Sequence, residues 1–222
     1  PHKIGDIRLS ADNIEFDDVK RGEKPQVTLF LLNAGKKDYA PELLHLPNYL
    51  TAKAEPATIR PGRVGKLVVT LKSNLLHGLG LTQSSVYLSR FAGDRVNKDN
   101  ELGISVTLLP NFTAAELSSP QAPLAEMATD VDLGAFNGKS KLKGIVLLAN
   151  KGQSPLEIKM LQVYNPGLSV SLPKTTLRPG ETTEMKIVVS TAVDRFRGSR
   201  KVLLITNDPR HPKILVNVTT KK

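Results

Sequence analysis

The sequence repeats itself once at an interval of about 117 residues. Asn33-Ala34-Gly35 recurs 117 positions later as Asn150-Lys151-Gly152. Ile59-Arg60-Pro61-Gly62 recurs 118 positions later as Leu177-Arg178-Pro179-Gly180. A repeat of about 110 residues is too long for a solenoid unit and has the size of a small domain. The sequence therefore predicts two copies of one fold.

The domain boundaries follow from the repeat and from the prolines between its copies. A chain of 222 residues suits two domains of roughly 100 residues, each able to bury its own core. Pro110, Pro120 and Pro123 interrupt a stretch rich in Ala and Ser, which is typical of a partly extended linker. We predict a first domain over residues 1–110, a linker over 111–126 and a second domain over 127–222.

Apolar residues recur mainly with a period of two, which favours β-strands over helices. Residues 102–108 and 214–218 alternate in this way, and runs such as Ile187-Val188-Val189 are short and β-branched. Pro61-Gly62 and Pro179-Gly180 predict type II turns, because Pro fixes φ at the first central position and Gly accepts a positive φ at the second. The pattern predicts an all-β fold with one sandwich in each half.

The Asn-x-Gly elements come where one strand ends and the chain bends toward the next. Asn and Gly tolerate left-handed backbone better than other residues. We therefore interpret Asn33-Ala34-Gly35 and Asn150-Lys151-Gly152 as turns with left-handed residues.

The order of these elements resembles the Hydin-type and abnormal-spindle-type Ig-like domains, whose bacterial relatives are exported proteins of unknown function. The second repeat resembles them best, because it also carries Gly198 and Thr206-Asn207-Asp208-Pro209, whereas the first repeat lacks the Asn-Asp-Pro element. The Cys-Gly-Cys element of many bacterial members is absent, since the chain has no Cys. The resemblance implies two tandem immunoglobulin-like β-sandwich domains, an exported, periplasmic or envelope-associated location, and a binding or scaffolding role without a reaction.

The sequence offers no pattern typical of catalysis or of metal binding. The four His are not spaced as metal ligands, and no Gly-x-Ser-x-Gly element marks a nucleophile. The best oxygen-rich segment lies within residues 94–101, but its spacing does not fit an EF-hand, and a solvated hairpin tip is the favoured interpretation over a calcium site. We predict that the chain is not an enzyme and has no catalytic residue, cofactor or metal site.

Two loops are the candidate interaction sites. One is the polar excursion before the last strand of the first repeat, and the other is a basic turn in the second repeat. The candidate residues are Asp94, Asn97, Asp99, Glu101, Arg195, Arg197, Arg200 and Lys201. The basic turn belongs to a chain of net charge +10, but no Trp and only 5% aromatic residues argue against specific nucleic-acid binding.

Three functions are compatible with these features. The leading hypothesis is a non-catalytic interaction or scaffolding module that binds a protein or glycan of the cell envelope through loops, an edge strand or the cleft between domains. The alternative is a periplasmic assembly chaperone that donates the strand carrying Leu102, Ile104, Val106 and Leu108, which requires that these side chains are not packed within their own domain. A weaker alternative is a polyanion-binding protein, whose affinity would fall steeply with salt. No apolar run approaches the length of a transmembrane helix, and the sequence does not predict the oligomeric state.

Overall fold

The computed structural model, which describes residues 2–191 and 200–221, consists almost entirely of β-strands. The chain forms two compact units. Unit 1 comprises Pro1–Gly78 and Thr82–Leu108, and unit 2 comprises Leu79–Leu81 and Leu109–Lys222. Each unit is built from two sheets, as the predicted fold class of two Ig-like β-sandwich domains requires, and that prediction is confirmed.

Unit 1 contains one five-stranded and one four-stranded sheet. Its strands are β1 (His2–Ile4), β2 (Ile7–Leu9), β3 (Asn13–Lys20), β4 (Gln26–Asn33), β5 (Leu43–Leu44), β6 (Leu50–Glu55), β7 (Val64–Leu71), β8 (Gly80–Leu88) and β9 (Glu101–Leu109). The strand orders are β1-β2-β4-β7-β6 and β3-β9-β8-β5. Two short 3-10 turns, Ser73–Leu75 and Lys98–Asn100, precede β8 and β9.

Unit 2 contains a four-stranded and a five-stranded sheet. Its elements are the helix α1 (Ala114–Ser118) and the strands β10 (Ala125–Glu126), β11 (Asp130–Ala135), β12 (Lys141–Asn150), β13 (Leu156–Val163), β14 (Leu168–Ser171), β15 (Thr176–Leu177), β16 (Thr182–Ser190), β17 (Arg200–Thr206) and β18 (Lys213–Lys221). The strand orders are β10-β12-β16-β14 and β11-β18-β17-β13-β15.

The two units share one strand topology. The order β2-β4-β7-β6 in unit 1 corresponds to β10-β12-β16-β14 in unit 2, and β3-β9-β8-β5 corresponds to β11-β18-β17-β13. The repeated sequence elements therefore lie at corresponding places in two sandwiches of the same topology.

The segment predicted as a linker has structure of its own. Residues 114–118 form α1, whose start is fixed by a capping box between Thr113 and Glu116. Residues 125–126 form β10, which pairs with the end of β12. The last residues of the predicted linker thus belong to a sheet of unit 2, because their backbone groups find partners on β12.

Strand alternation places the core between the sheets of each unit. In unit 2, fully buried side chains from both sheets pack together, and they include Leu148, Ile187, Leu204 and Val216. The predicted Pro-Gly turns are also present, since Gly62 and Gly180 have φ of 72° and 81°. Positive φ at the Gly of both turns agrees with the type II prediction.

The Asn-x-Gly turn of unit 2 is held by a buried side-chain amide. Asn150 is fully buried, and its Nδ2 donates to the backbone oxygens of Ser154 (2.8 Å) and Leu177 (3.0 Å). Its Oδ1 accepts from the backbone nitrogens of Gly152 (2.9 Å) and Leu124 (3.3 Å). All four hydrogen-bonding positions of the amide are therefore used, and they tie the end of β12 to three other segments.

The same arrangement recurs in unit 1. Asn33 Nδ2 donates to the backbone oxygens of Lys37 (2.8 Å) and Ile59 (2.9 Å), and Oδ1 accepts from Gly35 N (3.0 Å). None of the residues of the two Asn-x-Gly elements has a positive φ. The sequence interpretation of these elements as left-handed turns is therefore wrong. In both units the Asn is a buried amide that joins the Asn-x-Gly turn to the segment just before the Pro-Gly turn.

Candidate interaction surfaces

The polar loop of unit 1 is organised around the buried carboxylate of Asp94. The side chain of Asp94 is 2% exposed and accepts hydrogen bonds from Arg90 Nε (2.8 Å) and Nη2 (2.9 Å). It also accepts from the backbone nitrogens of Arg90 (2.8 Å) and Arg95 (2.7 Å). The Arg90 guanidinium and these backbone N–H groups hold the pKa of Asp94 well below its usual range. The carboxylate of Asp94 is thus turned inward and holds the loop in its conformation.

The other acidic-loop candidates lie on the surface. Asn97 caps the 3-10 turn, with its Oδ1 accepting from Asp99 N (2.8 Å), and Asn97, Asp99 and Glu101 are all exposed. Glu101 accepts a hydrogen bond from the Ser85 hydroxyl. Within residues 2–191 and 200–221, no group of three or more His, Asp and Glu side chains is placed to hold a metal ion. The loop is therefore held by the Arg90–Asp94 ion pair, and its other three candidate residues are exposed.

We expect acid to destabilise unit 1 through Asp94 only at low pH. A carboxylate whose pKa is lowered by folding stabilises the fold above its unfolded pKa of about 3.9, and this contribution is lost as the pH falls toward the folded pKa. Asp94→Asn should therefore be less stable than the wild type at neutral pH, and its stability should fall less between about pH 4 and pH 2. Urea unfolding at a series of pH values measures both effects.

The control for this experiment is Asp99→Asn in the same loop. Asp99 is exposed and acts on Arg90 through its charge, so its substitution should alter the acid profile much less than Asp94→Asn does. An Asp94→Asn profile parallel to that of the wild type would contradict the structural role of Asp94.

The basic turn of unit 2 is only partly within the described residues. Arg195 and Arg197 lie outside them. Arg200, the first residue of β17, is 7% exposed, and its Nη1 donates to Thr220 Oγ1 (3.2 Å). Lys201 is half-buried, and its backbone N donates to Asn165 Oδ1 (2.8 Å). Arg200 is thus packed within unit 2 and is not a free surface cation.

The strand considered for donation by a chaperone is a central strand of unit 1. β9 lies between β3 and β8 in its sheet. Leu102, Ile104, Val106 and Leu108 are between 0% and 2% exposed. These side chains are buried and β9 has a neighbouring strand on each edge, so the structure contradicts donation of this strand to a client.

Unit 1 also has a cleft beside its Asn-x-Gly turn. Its volume is about 700 Å³, and its lining includes the exposed ring of Phe91 together with charged residues of both signs, among them Asp6, Lys36 and Glu42. The mixture of charges gives this cleft no clear preference for one class of ligand.

The most distinctive surface of unit 2 is the outer face of its four-stranded sheet. Even-numbered residues of β12 such as Val146 and Leu148 point into the core, and the odd-numbered residues point outward. Among these outward residues, Ile145 is 56% exposed and Leu147 is 58% exposed. We call this surface the β12 face and define it by Lys141, Lys143, Ile145, Leu147, Glu184 and Lys186.

The strand register shows how charges surround the apolar pair. Ile145 lies directly opposite Lys186 on β16, and Leu147 lies opposite Glu184. Lys141 and Lys143 extend the outward row of β12 on the other side of Ile145. The β12 face is thus an apolar pair bordered by three Lys and one Glu.

Unit 1 has a related surface on the outer face of the sheet that contains β4, but there the edge of the strand is covered further along. Phe30 on β4 lies 117 positions before Leu147 and is 48% exposed, close to Val64 on β7, which is 58% exposed. Ser10 follows β2 and covers the edge of β4 at Phe30, since Ser10 N donates to Phe30 O (3.0 Å) and Phe30 N donates to Ser10 Oγ (3.0 Å). In unit 2 the covering strand β10 reaches only Ala149.

The sequence pattern does not predict the exposure of the β12 face. Apolar residues occur on both alternating faces of residues 142–148, a pattern that is typical of a strand buried on both sides. The available signal was the pair Lys141 and Lys143 at the start of the same alternation, because Lys on a strand is typical of an exposed edge.

Comparison with known proteins confirms the predicted resemblance for the second half of the chain. Residues 123–221 match the model of the HYDIN/CFA65/VesB-like Ig-like domain. Among solved structures, a protein of unknown function from Porphyromonas gingivalis W83 is similar over 98% of this chain and 100% of that chain, with 20% identity and a TM-score of 0.74. At this identity the similarity shows the shared fold alone.

Two further solved structures are more distant. The VesB protease of Vibrio cholerae has 11% identity and a TM-score of 0.38, with 80% of this chain and 64% of that chain covered. The YadV chaperone has 14% identity and a TM-score of 0.33, with 96% of this chain and 98% of that chain covered. Neither similarity carries a functional argument. No curated protein matches the sequence significantly. None of the helices in the described part of the chain is long and apolar enough to span a bilayer.

Proposed function

We propose that this chain, whose second half matches the HYDIN/CFA65/VesB-like Ig-like domain, is a non-catalytic module that binds another protein through the β12 face. The observation that carries the proposal is the exposure of Ile145 and Leu147 side by side on β12. Residues i and i+2 of a strand share one face, so the two side chains form one apolar patch. An exposed apolar patch rimmed by polar residues is typical of a protein-binding surface.

The charges around the patch favour an acidic partner. Lys141, Lys143 and Lys186 outnumber Glu184 on this face. Charge complementarity at the rim of an interface mainly selects the partner and speeds association, while burial of the apolar centre supplies affinity. A simple polyanion would use the Lys residues and would gain nothing from Ile145 and Leu147, so the apolar pair favours a protein partner over the polyanion alternative.

The location of the protein is part of the proposal. The exported, periplasmic or envelope-associated location is supported by the resemblance to exported bacterial Ig-like domains. We therefore expect the partner to be a protein of the cell envelope.

Removing the apolar pair is expected to abolish partner capture. The tagged wild-type chain and the variant Ile145→Thr/Leu147→Thr are used as baits in an envelope extract, and bound proteins are identified by mass spectrometry. Thr preserves the β-propensity of the strand. Loss of two buried aliphatic side chains from an interface is expected to weaken binding by about 2–4 kcal/mol, which is a loss of about thirtyfold or more.

The matched control removes an exposed apolar pair on the outer face of the related sheet in unit 1. Phe30→Thr/Val64→Thr deletes a similar exposed surface, and we expect it to retain the protein captured by the wild type. The captured protein should remain bound in high salt, since apolar burial strengthens with salt while charge contacts weaken. Equal capture by both double variants would contradict the assignment of the β12 face. A captured polysaccharide that dissociates in salt would favour the polyanion alternative instead.

A further inference from the structure

One edge of β12 has no neighbouring strand along most of its length. In the sheet order β10-β12-β16-β14, β10 pairs only with Ala149 and Asn150. After Glu126 the chain leaves this sheet and joins β18 of the opposite sheet as β11. Between residues 141 and 148, the strands described in the structure therefore pair with β12 on its β16 side alone.

The backbone groups at this edge belong to the residues of the β12 face. Asn150 N donates to Glu181 O (3.0 Å), and Thr191 N donates to Ser140 O (3.0 Å), so even-numbered residues direct their backbone groups toward β16. Lys151 N donates to Leu124 O (2.8 Å) on the other side. Because successive residues of a strand point to opposite edges, the N–H and C=O groups of Lys141, Lys143, Ile145 and Leu147 point to the open edge.

We propose that this open edge binds an extended segment of the partner as an added antiparallel strand, whose outward side chains read apolar, apolar, acidic, acidic along its chain. This inference rests on the proposed function and specifies how the β12 face is used. The added strand would continue the line of β10, which is itself antiparallel to β12. Backbone hydrogen bonds from four residues would supply affinity, and alternate side chains would supply specificity.

The side-chain order follows from the cross-strand pairs. In an antiparallel pair, the first outward residue of the added strand would lie opposite Leu147 and the second opposite Ile145, where apolar side chains pack best. The third and fourth would lie opposite Lys143 and Lys141, where carboxylates are favoured.

The lysines disfavour a second copy of this chain at the same edge. If β12 paired with itself in antiparallel orientation about Gly144, Lys143 would face Ile145 and Lys141 would face Leu147. Such pairing brings no carboxylate to either Lys. Edge lysines are a common means by which soluble proteins prevent self-association of open strands.

The corresponding edge in unit 1 lacks these features. Ser10 already occupies the edge at Phe30. The next edge-facing residues along β4 are Thr28 and Gln26, which correspond to Ile145 and Lys143 at the interval of 117 residues. The combination of open backbone, apolar pair and cations thus distinguishes β12 from β4.

The test uses the whole chain and a capped synthetic peptide, Val-Thr-Ile-Thr-Glu-Thr-Glu. Fluorescence anisotropy of the labelled peptide measures binding, and amide hydrogen exchange by NMR measures protection of individual backbone N–H groups. We expect the peptide to bind and to slow exchange at Lys141, Lys143, Ile145 and Leu147. A peptide with Lys in place of both Glu should bind at least about tenfold more weakly.

Two variants separate strand addition from other binding modes. The variant Lys141→Glu/Lys143→Glu should reverse the preference and bind the Lys-containing peptide at least about tenfold better than the Glu-containing one. Ile145→Pro removes an edge-facing N–H and should weaken binding more than Ile145→Thr, which keeps it. If Ile145→Pro does not fold, the peptide preference of Lys141→Glu/Lys143→Glu and the amide exchange data test strand addition without it.

Three results would overturn the inference. These are absence of peptide binding, binding without protection of the four amides, and a β12-mediated dimer of this chain that excludes the peptide. If any of them occurs while Ile145→Thr/Leu147→Thr still loses the captured envelope protein, strand addition is wrong and the proposed function stands. If the double variant also retains that protein, both are wrong.

Discussion

Replacing Asn150 with Asp is expected to lower the free energy of unfolding of unit 2 by about 3 kcal/mol or more. The side-chain amide of Asn150 is fully buried and donates to the backbone oxygens of Ser154 and Leu177. A carboxylate has no hydrogen to donate, so both oxygens would lose their partner and would face a buried negative charge. The shape of the side chain is nearly unchanged, so the effect reports the loss of the two N–H donors together with the buried charge.

Urea unfolding followed by circular dichroism measures this loss. Asn137→Asp in the same unit is the control, because Asn137 is exposed in a turn with a φ of 48° that Asp also tolerates. We expect the control to change stability by less than about 0.5 kcal/mol. Asn33→Asp should produce a comparable loss in unit 1, since Asn33 donates in the same way to Lys37 and Ile59. Equal stability of Asn150→Asp and the control would mean that the amide bonds do not hold the turn.

The features that could be predicted from the sequence are those determined by local chemistry. Period-two alternation predicted the strands, and the Pro-Gly turns have the positive φ that their sequence requires, as at Gly62 and Gly180. The interval of about 117 residues predicted two sandwiches, because matching turn residues recur in the same order. Each of these signals depends on a few neighbouring residues.

The role of the Asn-x-Gly elements could not be predicted in the same way. The oxygen that accepts from Asn150 in the second unit belongs to Leu177, 27 positions along the chain, and in unit 1 the corresponding oxygen belongs to Ile59. Only folding brings these groups together. Asn is also a good turn former, so the local signal favoured the wrong explanation.

The exposure of the candidate interaction residues also depends on contacts that only folding brings together. Asp94 is a candidate because it lies in a polar loop, but Arg90, two residues after the end of β8, turns its carboxylate inward. Arg200 is a candidate because of its charge, but it lies at the start of β17 and is buried against Thr220. Conversely, Ile145 and Leu147 have the composition of a core strand, and their exposure depends on which face of β12 the opposite sheet covers. Charge and polarity alone do not tell whether a side chain faces solvent.

Gly152→Ala is expected to destabilise unit 2 by about 3 kcal/mol, although Gly152 does not have a positive φ. A Cβ at this position would lie 2.5 Å from Leu124 N and 2.6 Å from Pro123 C. Both atoms belong to the backbone, which cannot rotate away as a side chain can. The same backbone segment is fixed by the hydrogen bond from Lys151 N to Leu124 O (2.8 Å) and leads directly into β10.

Two other glycines provide graded controls for this substitution. At Gly35, the corresponding position of unit 1, a Cβ would meet side-chain atoms of Asp6 and Asn33 at 3.2 Å. This overlap is much smaller than the one at Gly152 and is relieved by a small shift, so Gly35→Ala should cost about 1 kcal/mol. At Gly78 an added Cβ would meet nothing within 4 Å, and Gly78→Ala should have little effect. Urea unfolding of the three variants should rank them in this order.

Gly152→Ala is also expected to loosen the pairing between β10 and β12. β10 covers the edge of β12 only at Ala149 and Asn150, and the open edge begins where that pairing stops. Displacing residues 122–124 should loosen β10, so amide exchange at Ala149 should accelerate in Gly152→Ala even under conditions in which unit 2 remains folded. Wild-type stability and exchange in this variant would mean that β10 is not fixed by the close approach at Gly152, and that the boundary of the open edge is set elsewhere.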